Sequence, residues 1–283
     1  MIPKTRSFEI ANGVSIGGRS SFVLFAGPCI AESRELLFEV AGQIQEICND
    51  LKIPYVFKSS FDKANRSSIT GYRGPGVEKA LGWLAEVKKE LNVPIITDVH
   101  LPEQCSMVAE VADVLQIPAF LCRQTDLVQA AAETGKMINA KKGQFLSPWE
   151  VGNIISKVES CGKQKVSITE RGFSFGYNNL VVDQRSFPVI RSYGVPAVFD
   201  GTHSVQLPGG LGASTDGQRE YIPNLTRAAV ANGIDGLFME CHPKPSEGLS
   251  DPTTMYPLSK MRALLTQLKA LDDVVKNGEI LEQ

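Results

Sequence analysis

The sequence has no long apolar run, no paired cysteines and little net charge, and each absence excludes a class of protein. No stretch approaches the roughly 20 apolar residues that a membrane-spanning helix needs, and the first segment, MIPKTRSFEIANG, lacks the apolar core of a signal peptide. The six cysteines show no CxxC spacing, so we expect free thiols rather than a disulfide framework. Together these features predict a cytoplasmic protein.

The charge of the chain is nearly balanced, with 29 basic against 31 acidic residues and a formal net charge of −2. Such a chain has no overall field that would draw it to nucleic acid or to an anionic membrane. We therefore expect neither partner. Any anion that the protein binds must be met by a local group of cations.

Short apolar runs alternate with longer amphipathic stretches along the 283 residues. The predicted strands are Phe22–Ala26, Pro54–Lys58, Pro94–Val99, Val114–Pro118, Met137–Lys141, Lys165–Glu170, Pro196–Phe199 and Gly236–Cys241. The predicted helices are Leu36–Asp50, Gly76–Leu91, Pro102–Ala112, Thr125–Thr134, Pro148–Ser160, Tyr221–Ala231 and a last one after Pro257 to about Asp273. This alternation predicts parallel strands with right-handed crossovers. Eight units favour an α/β fold of the (β/α)8 TIM barrel class, formed by residues 1–283 as a single domain.

Residues 7–17, SFEIANGVSIG, differ from this alternation. Two short strands flank Asn12-Gly13, a dipeptide that favours a tight hairpin turn because both positions accept positive φ. We predict an N-terminal β-hairpin at residues 7–17 that covers the N-terminal mouth of the barrel. An unstructured tail is the alternative.

Cationic residues follow the predicted strands, at the end of the barrel where enzymes of this fold carry their active sites. These residues are Lys58, Lys63, Arg66, Arg123, Lys141 and Arg171. Buried like charges repel, so gathering them in one mouth requires an anionic partner. Phosphate and carboxylate groups suit lysine and arginine. For any single one of these residues, a solvated surface charge is the alternative.

Four residues of metal-ligating type follow the first, seventh and eighth predicted strands: Cys29, His203, Glu240 and Asp251. The first and eighth strands become neighbours when a barrel closes, so the four side chains would converge. A thiolate, an imidazole and two carboxylates suit Zn, Fe or Mn rather than Mg or Ca. Taken singly, Cys29 would be a buried structural thiol and His203 a hydrogen-bonded loop residue.

Three further polar residues end predicted strands. Asp98 and His100 lie two residues apart and therefore share a face at the end of the third strand, and His242 directly follows the eighth predicted strand. Acid–base or supporting roles and plain hydrogen-bonded packing are equally open for each of them.

The segment KSSFDKANRSS at residues 58–68 resembles the signature of the 3-deoxy-D-manno-octulosonate-8-phosphate synthase family. Further similar motifs cover nearly the whole chain: AGPC (26–29), ITDVH (96–100), QIPAFLCRQTDL (116–127), NAKKGQF (139–145), ERGFSFGYNNLVVD (170–183), FDGTHSVQLPGG (199–210) and MECHPKP (239–245). This family condenses phosphoenolpyruvate with D-arabinose 5-phosphate and water in an aldol-type step of lipopolysaccharide biosynthesis. The resemblance therefore implies a transferase that takes these two substrates. It also implies a homotetramer.

The resemblance implies roles for individual residues. Positions that hold phosphoenolpyruvate match Lys58, Ser60, Lys63, Gln116, Lys141, Arg171 and His203. Positions for arabinose 5-phosphate match Asn65, Arg66 and Ser67, and Asp98 matches a residue near the aldehyde. Arg123 matches an arginine that reaches the sugar phosphate from an adjacent subunit. The residues expected to be catalytic are Lys58, Asp98, Lys141 and His203.

Cys29 also assigns the chain to a class within that family. Metal-dependent members have cysteine at this position and metal-independent members have asparagine, so the resemblance implies a divalent cofactor: Zn, Fe or Mn. His203, Glu240 and Asp251 match its other ligands. One departure concerns Asp251, which is followed by Pro252-Thr253-Thr254 where the family usually shows Asp-Gly-Pro. The proline ring fixes φ and could change the aim of this loop.

Two alternative functions fit part of this pattern. A related family makes the seven-carbon analogue from erythrose 4-phosphate, but it has KPRT or KPRS where this sequence has Lys63-Ala64-Asn65-Arg66. That difference favours the five-carbon sugar. The other alternative is a catalytically silent barrel that binds phosphosugars, against which the full set of cations and metal ligands argues.

Overall fold

The centre of the molecule is a closed ring of eight parallel strands, and the computed structural model describes residues 4–66, 68–162, 165–210 and 216–277. The strands are β1 Val23–Gly27, β2 Tyr55–Lys58, β3 Ile95–Asp98, β4 Val114–Ile117, β5 Met137–Lys141, β6 Val166–Glu170, β7 Ala197–Asp200 and β8 Gly236–His242. The helices that follow them are α1 Arg34–Leu51, α2 Val77–Leu91, α3 Gln104–Val111, α4 Thr125–Glu133, α5 Val151–Glu159, α6 Ser186–Ser192, α7 Ile222–Ala231 and α8 Met261–Asn277. Neighbours pair in chain order, and β8 pairs with both β7 and β1. The predicted (β/α)8 barrel is confirmed.

Short elements decorate the loops at the C-terminal end of the barrel. Phe173–Ser174 pairs with Leu180–Val181, and Gln206–Leu207 pairs with Asp216–Gly217, both antiparallel. Tyr256–Pro257 adds to the end of β8. None of the described helices is both long and apolar enough to cross a membrane.

Each predicted strand matches an observed strand to within one residue at either end. The prediction succeeds because strands of a parallel barrel are covered on both faces and so consist of nearly continuous apolar runs. Helix α6 was missed. It has only seven residues, and Pro188 lies in its first turn. Backbone N–H groups in the first turn have no acceptor within the helix, so the missing N–H of proline costs no helical hydrogen bond there.

The N-terminal residues form an antiparallel hairpin of Ser7–Ala11 and Val14–Gly17. Asn12 and Gly13 have φ of 51° and 77°, as a turn with two positive φ values requires. Ile16 is fully buried in a cluster with the apolar residues that point into the barrel, and the other inward side chains of the hairpin pack against it. The hairpin therefore closes the N-terminal mouth and leaves the opposite mouth for chemistry.

The inside of the barrel changes from apolar to polar along the strand direction. The apolar cluster consists of Ile16, Val23, Phe25, Val56, Ile96, Val114, Met137, Val198 and Phe238. Two positions further along several strands, on the same inward face, the residues are Lys58, Asp98, Gln116, Asp200 and Glu240. Because side chains alternate between the two faces of each strand, buried polar groups lie at the C-terminal mouth, and the apolar cluster lies deeper inside the barrel.

Candidate active site and metal centre

A cavity of about 890 Å³ opens at the C-terminal mouth of the barrel. Its walls bring together these predicted site residues: Lys58, Lys63, Asn65, Arg66, Asp98, Gln116, Lys141, Arg171, His203, Glu240 and Asp251. They come from the ends of seven different strands or the loops after them. A cavity of this size can hold two small phosphorylated molecules.

Lys58 and Glu240 form a buried ion pair at the bottom of the cavity. Lys58 Nζ lies 2.5 Å from Glu240 Oε1, and it also donates to the Cys29 carbonyl at 3.0 Å and to Ser60 Oγ at 3.3 Å. Burial opposes the charge on Glu240, but Lys58, His203 and other nearby cations hold the pKa of Glu240 well below its usual range. Ser60, a predicted substrate-binding residue, contacts Lys58 and does not line the cavity.

The predicted metal ligands lie together beside this pair. Ligand atoms of Cys29, Glu240 and Asp251 all lie within 4.8 Å of one another, and Cys29 Sγ is 3.3 Å from Asp251 Oδ2. His203 Nε2 lies 3.5 Å from Glu240 Oε2 and 3.9 Å from Asp251 Oδ2. Ligands of one tetrahedral ion with bonds of about 2.0–2.3 Å lie about 3.3–3.8 Å apart. The Cys29–Asp251 and His203–Glu240 spacings fall in this range, whereas the His203–Asp251 spacing exceeds it and His203 does not belong to the group whose ligand atoms all lie within 4.8 Å of one another.

Two further observations test whether the cluster fits a divalent cation. Glu240 Oε2 is fully buried and has no hydrogen-bond partner among the described residues, which is costly for a carboxylate oxygen. Burial and the charge of Glu240 also raise the pKa of the Cys29 thiol well above its ordinary value. A bound cation would satisfy the oxygen and favour the thiolate. The cluster is therefore compatible with a divalent metal.

Asp251 reaches the cluster in spite of the proline that follows it. Its φ is 45°, in the left-handed region that aspartate tolerates better than most residues. Its carboxylate points at Cys29, whose Sγ also lies 2.9 Å from Ser250 Oγ. The Asp251 carboxylate thus lies in the cluster with Pro252 beside it, and the effect of Pro252 on the aim of the loop stays a prediction.

Lys141, Asp200 and His203 form a second buried network next to the metal cluster. Asp200 Oδ2 contacts both Lys141 Nζ and His203 Nδ1, the latter at 2.7 Å. Asp200 Oδ1 accepts from the backbone N–H groups of Thr202 and His203. Burial works against the charge on Asp200, but His203 and Lys141 lower the pKa of its carboxyl below the ordinary value. Asp200 thus orients the imidazole so that Nε2 faces Glu240 and Asp251.

Phe238 provides the floor beneath these cations. The Lys141 ammonium lies 3.5 Å from the centre of its ring, and the Lys58 ammonium lies 5.3 Å from it. Burial lowers the pKa of Lys141 even though Asp200 opposes the shift. The ring face stabilises both charges while keeping water from beneath them.

Several buried polar atoms at the mouth have no partner among the described residues. They are Arg171 Nη1, Gln116 Oε1 and Asp98 Oδ1. Arg171 is fixed by Gln206, whose Oε1 accepts from its Nη2. Buried polar groups are normally satisfied, so one unmade donor and two unmade acceptors on residues that line one cavity mark it as a candidate ligand site.

Asp98 and His100 form a carboxylate–imidazole pair on one side of the cavity. His100 Nε2 lies 3.0 Å from Asp98 Oδ2, so only the other carboxylate oxygen is free. Burial would lower the pKa of His100, but Asp98 raises it above its ordinary value. His242 lies outside this group: it is buried, and its Nδ1 accepts from the backbone N–H of Lys244. For His242 the packing alternative holds in this structure.

Four predicted residues belong to the outer part of the site or lie away from it. Asn65 and Arg66 line the cavity, and Arg66 donates to the carbonyls of Tyr72 and Leu249. Ser67 lies outside the described residues. Arg123 is exposed and does not line the cavity of its own chain. The structure of one chain therefore assembles the site without Arg123.

Sequence reasoning gave no role to Asp200, Phe238 or Gln206, although each contacts a predicted site residue. Asp200 was recognisable as an inward strand-end residue three positions before His203. Phe238 could be placed two residues before Glu240 on the same face. No sequence signal indicated that Gln206 would bind Arg171.

Comparison with known proteins adds independent information. A sequence profile described as the DAHP synthetase I family matches residues 5–277. A 2-dehydro-3-deoxyphosphooctonate aldolase of Trichlorobacter lovleyi is 57% identical over 272 residues, which are 96% of this chain and 100% of the relative. Proteins of the same name from Geobacter sp. strain M21 and Fusobacterium nucleatum are each 55% identical, over 96% and 98% of this chain and 99% of each relative.

Proposed function

The chain belongs to the DAHP synthetase I family, and we propose that it condenses phosphoenolpyruvate with D-arabinose 5-phosphate and water. The products are 3-deoxy-D-manno-octulosonate 8-phosphate, a precursor of lipopolysaccharide, and phosphate. The observation that carries this proposal is one cavity in which cations for two anions surround a buried thiol–carboxylate cluster. The shared name of the relatives specifies an eight-carbon acid, which agrees with a three-carbon and a five-carbon substrate.

The cations at the bottom of the cavity bind phosphoenolpyruvate. Lys58, Lys141 and Arg171 supply positive charge for its phosphate and carboxylate groups, and the unmade Nη1 donor of Arg171 is available for one of them. Lys63, Gln116 and His203 complete this part of the site. Asn65 and Arg66, which line the cavity, bind the sugar phosphate, and Ser67 has the same role by the resemblance. Two anions are thereby held side by side, which makes their reaction effectively intramolecular.

The reaction proceeds through one new carbon–carbon bond and one broken carbon–oxygen bond. C3 of phosphoenolpyruvate attacks the aldehyde carbon of the open-chain sugar, and water adds at C2. The bond between C2 and the bridging oxygen of the phosphate group then breaks. Phosphate leaves with that oxygen, and C2 becomes the carbon of a ketone. The two protons of the water end on the former aldehyde oxygen and on the released phosphate.

The residues of the chain each assist this sequence in a defined way. Asp98 Oδ1 accepts a hydrogen bond from a hydroxyl group of the sugar, because the other oxygen, Oδ2, already pairs with His100 Nε2. Lys58 and Lys141 stabilise the negative charge that develops as bonds change. Asp200 keeps His203 in one orientation, and the Phe238 ring excludes water beneath the reacting atoms.

The cofactor of this site is a divalent metal, for which a cysteine-containing donor set favours Zn, Fe or Mn. Cys29, His203, Glu240 and Asp251 are the residues that would hold it. When bound, it would supply positive charge that orients the aldehyde and lowers the pKa of a nearby water. The buried Oε2 of Glu240, which makes no hydrogen bond among the described residues, supports this assignment.

Phosphate release tests the proposed reaction directly. We expect release when the protein is mixed with phosphoenolpyruvate and arabinose 5-phosphate, and none with either compound alone. Erythrose 4-phosphate serves as the matched aldose, one carbon shorter. Faster turnover of erythrose 4-phosphate would instead identify a synthase of the seven-carbon analogue. No phosphate release with either aldose would indicate a protein that binds phosphosugars without catalysis.

The active form is a homotetramer in which Arg123 serves a neighbouring site. Arg123 is exposed, and exposed aromatic residues lie on the loops at the same end of the barrel: Phe120, Phe145, Phe173, Phe175 and Tyr177. Apolar surface of this kind commonly marks a protein interface. Association through these loops would bring Arg123 of one chain towards the cavity of the next.

Subunit complementation provides the measurement. We expect Arg123→Ala and Lys58→Met to be nearly inactive as separate homo-oligomers. Coexpression should restore activity, because a cavity that retains Lys58 can receive Arg123 from a Lys58→Met neighbour. If Arg123 serves its own chain, the mixed oligomers will be as inactive as the parents.

The proposed location is the cytoplasm. Among the described residues, Cys29, Cys48, Cys105, Cys122 and Cys241 form no disulfide, as expected in a reducing compartment. Both substrates are phosphorylated, and such charged metabolites do not cross a bilayer unaided.

A further inference from the structure

The backbone at Asp251 adopts a conformation that must be held in place. Its φ of 45° is disfavoured for residues with a side chain. The Asp251 carbonyl accepts from the backbone N–H groups of Thr254 and Met255, both at 3.1 Å, which closes a tight turn. The carboxylate of Asp251 belongs to the proposed metal cluster, so the geometry of this turn determines where one ligand points.

Arg219 contacts this turn from a different loop. It lies in the loop between β7 and α7, at the start of a 3₁₀ turn, and its Nη2 donates to the carbonyl of Pro252, the residue after Asp251. Arg219 is partly buried and is absent from the cavity wall. Its guanidinium therefore acts on the turn and does not meet substrate.

The segment that carries Arg219 is itself fixed at two points. The N–H of Gln218 donates to the Val205 carbonyl at 2.9 Å, and Val205 ends the short turn that begins at His203. A Cβ on Gly217 would approach Thr254 Cγ2 to 2.1 Å, so this position must be glycine for the two loops to pack. The segment thus joins the turn of His203 to the turn of Asp251.

We propose that Arg219 is a positioning residue for the metal centre, holding the Asp251 turn so that its carboxylate meets the other ligands. This inference rests on the proposed metal and names a residue that supports it. The hydrogen bond from Arg219 to the Pro252 carbonyl reaches the turn from a different loop and fixes the residue that follows Asp251.

Metal affinity of the apoprotein is the measurement that tests this role. Co²⁺ and Zn²⁺ affinities are to be determined by chelator competition for wild type, Arg219→Ala and Arg219→Lys. The control is Arg227→Ala, an exposed arginine that hydrogen bonds to Asn224 and Gln267 instead. We expect Arg219→Ala to weaken both affinities by about 10- to 100-fold, the usual effect of losing a residue that orients a ligand.

The variants and spectra separate positioning from general damage. Arg219→Lys keeps one donor for the Pro252 carbonyl and should recover part of the affinity. The Co²⁺–thiolate absorption band should persist in all variants because Cys29 is intact, and the thermal midpoint of each apoprotein should equal that of wild type.

Three results would overturn the inference. The first is an Arg219→Ala affinity equal to that of wild type. The second is a loss of affinity matched by a loss of apoprotein thermal stability, which would indicate a structural role only. The third is a wild-type protein that binds neither ion, and this result alone would also remove the metal from the proposed function.

Discussion

The Cys29→Ala variant is expected to lose tight metal binding and to show a kcat at least about 100-fold below that of wild type. The thiol is fully buried and lies 3.3 Å from Asp251 Oδ2. Without the sulfur, a cation would retain one imidazole and two carboxylates and would lose its thiolate ligand. Metal content after dialysis and steady-state rates with added metal measure the two effects.

Cys241→Ala is the matched control for this variant. Cys241 is equally buried, but it lies on β8 facing the helices, with its Sγ 3.8 Å from the Gly27 carbonyl. Its truncation should lower stability slightly and leave metal content unchanged. Equal metal content in the Cys29 and Cys241 variants would contradict the assignment of Cys29 as a ligand.

The Lys141→Met variant is expected to lose about 100- to 1000-fold in kcat, the effect typical of removing one group that stabilises transition-state charge. Lys141 Nζ contacts Asp200 and lies 3.5 Å from the centre of the Phe238 ring. Methionine preserves most of the volume but removes the charge. Asp200 then loses its contact with the ammonium and keeps His203, which should also disturb the orientation of the imidazole.

Lys88→Met is the control for losing a lysine that is paired with a carboxylate. Lys88 Nζ lies 2.8 Å from Asp113 Oδ1, and Asp113 directly precedes β4, at the end of the barrel remote from the cavity. This variant should retain wild-type kcat. Steady-state kinetics with both substrates varied decide the matter: a Lys141→Met kcat near that of wild type would show that this cation is not needed for chemistry.

The fold was predictable because its pattern is carried by local apolar runs. Each strand of the barrel is buried on both faces, so its sequence signal does not depend on distant residues. The hairpin was equally local, since Asn12-Gly13 specifies its turn. Helix α6 was not predictable in this way, because a seven-residue helix with Pro188 in its first turn is too short to show a period.

The sequence indicated which residues lie at the candidate site, but it did not indicate which of them contact one another. Strand-end position placed Lys58, Lys141 and Glu240 at one mouth, and barrel closure placed Cys29 near Glu240. The partner of each charge depended on tertiary distance, so the Lys58–Glu240 pair and the role of Asp200 needed the structure. The roles of individual residues in binding each substrate remain predictions.

The central claim is that one cavity joins two phosphorylated substrates beside a metal held partly by Cys29. The most direct measurement is phosphate release from phosphoenolpyruvate and arabinose 5-phosphate by purified protein, before and after EDTA treatment with metal content determined in parallel. The account predicts that activity falls with metal content and returns when Zn, Fe or Mn is added back. Full activity in protein verified to be free of metal would contradict it.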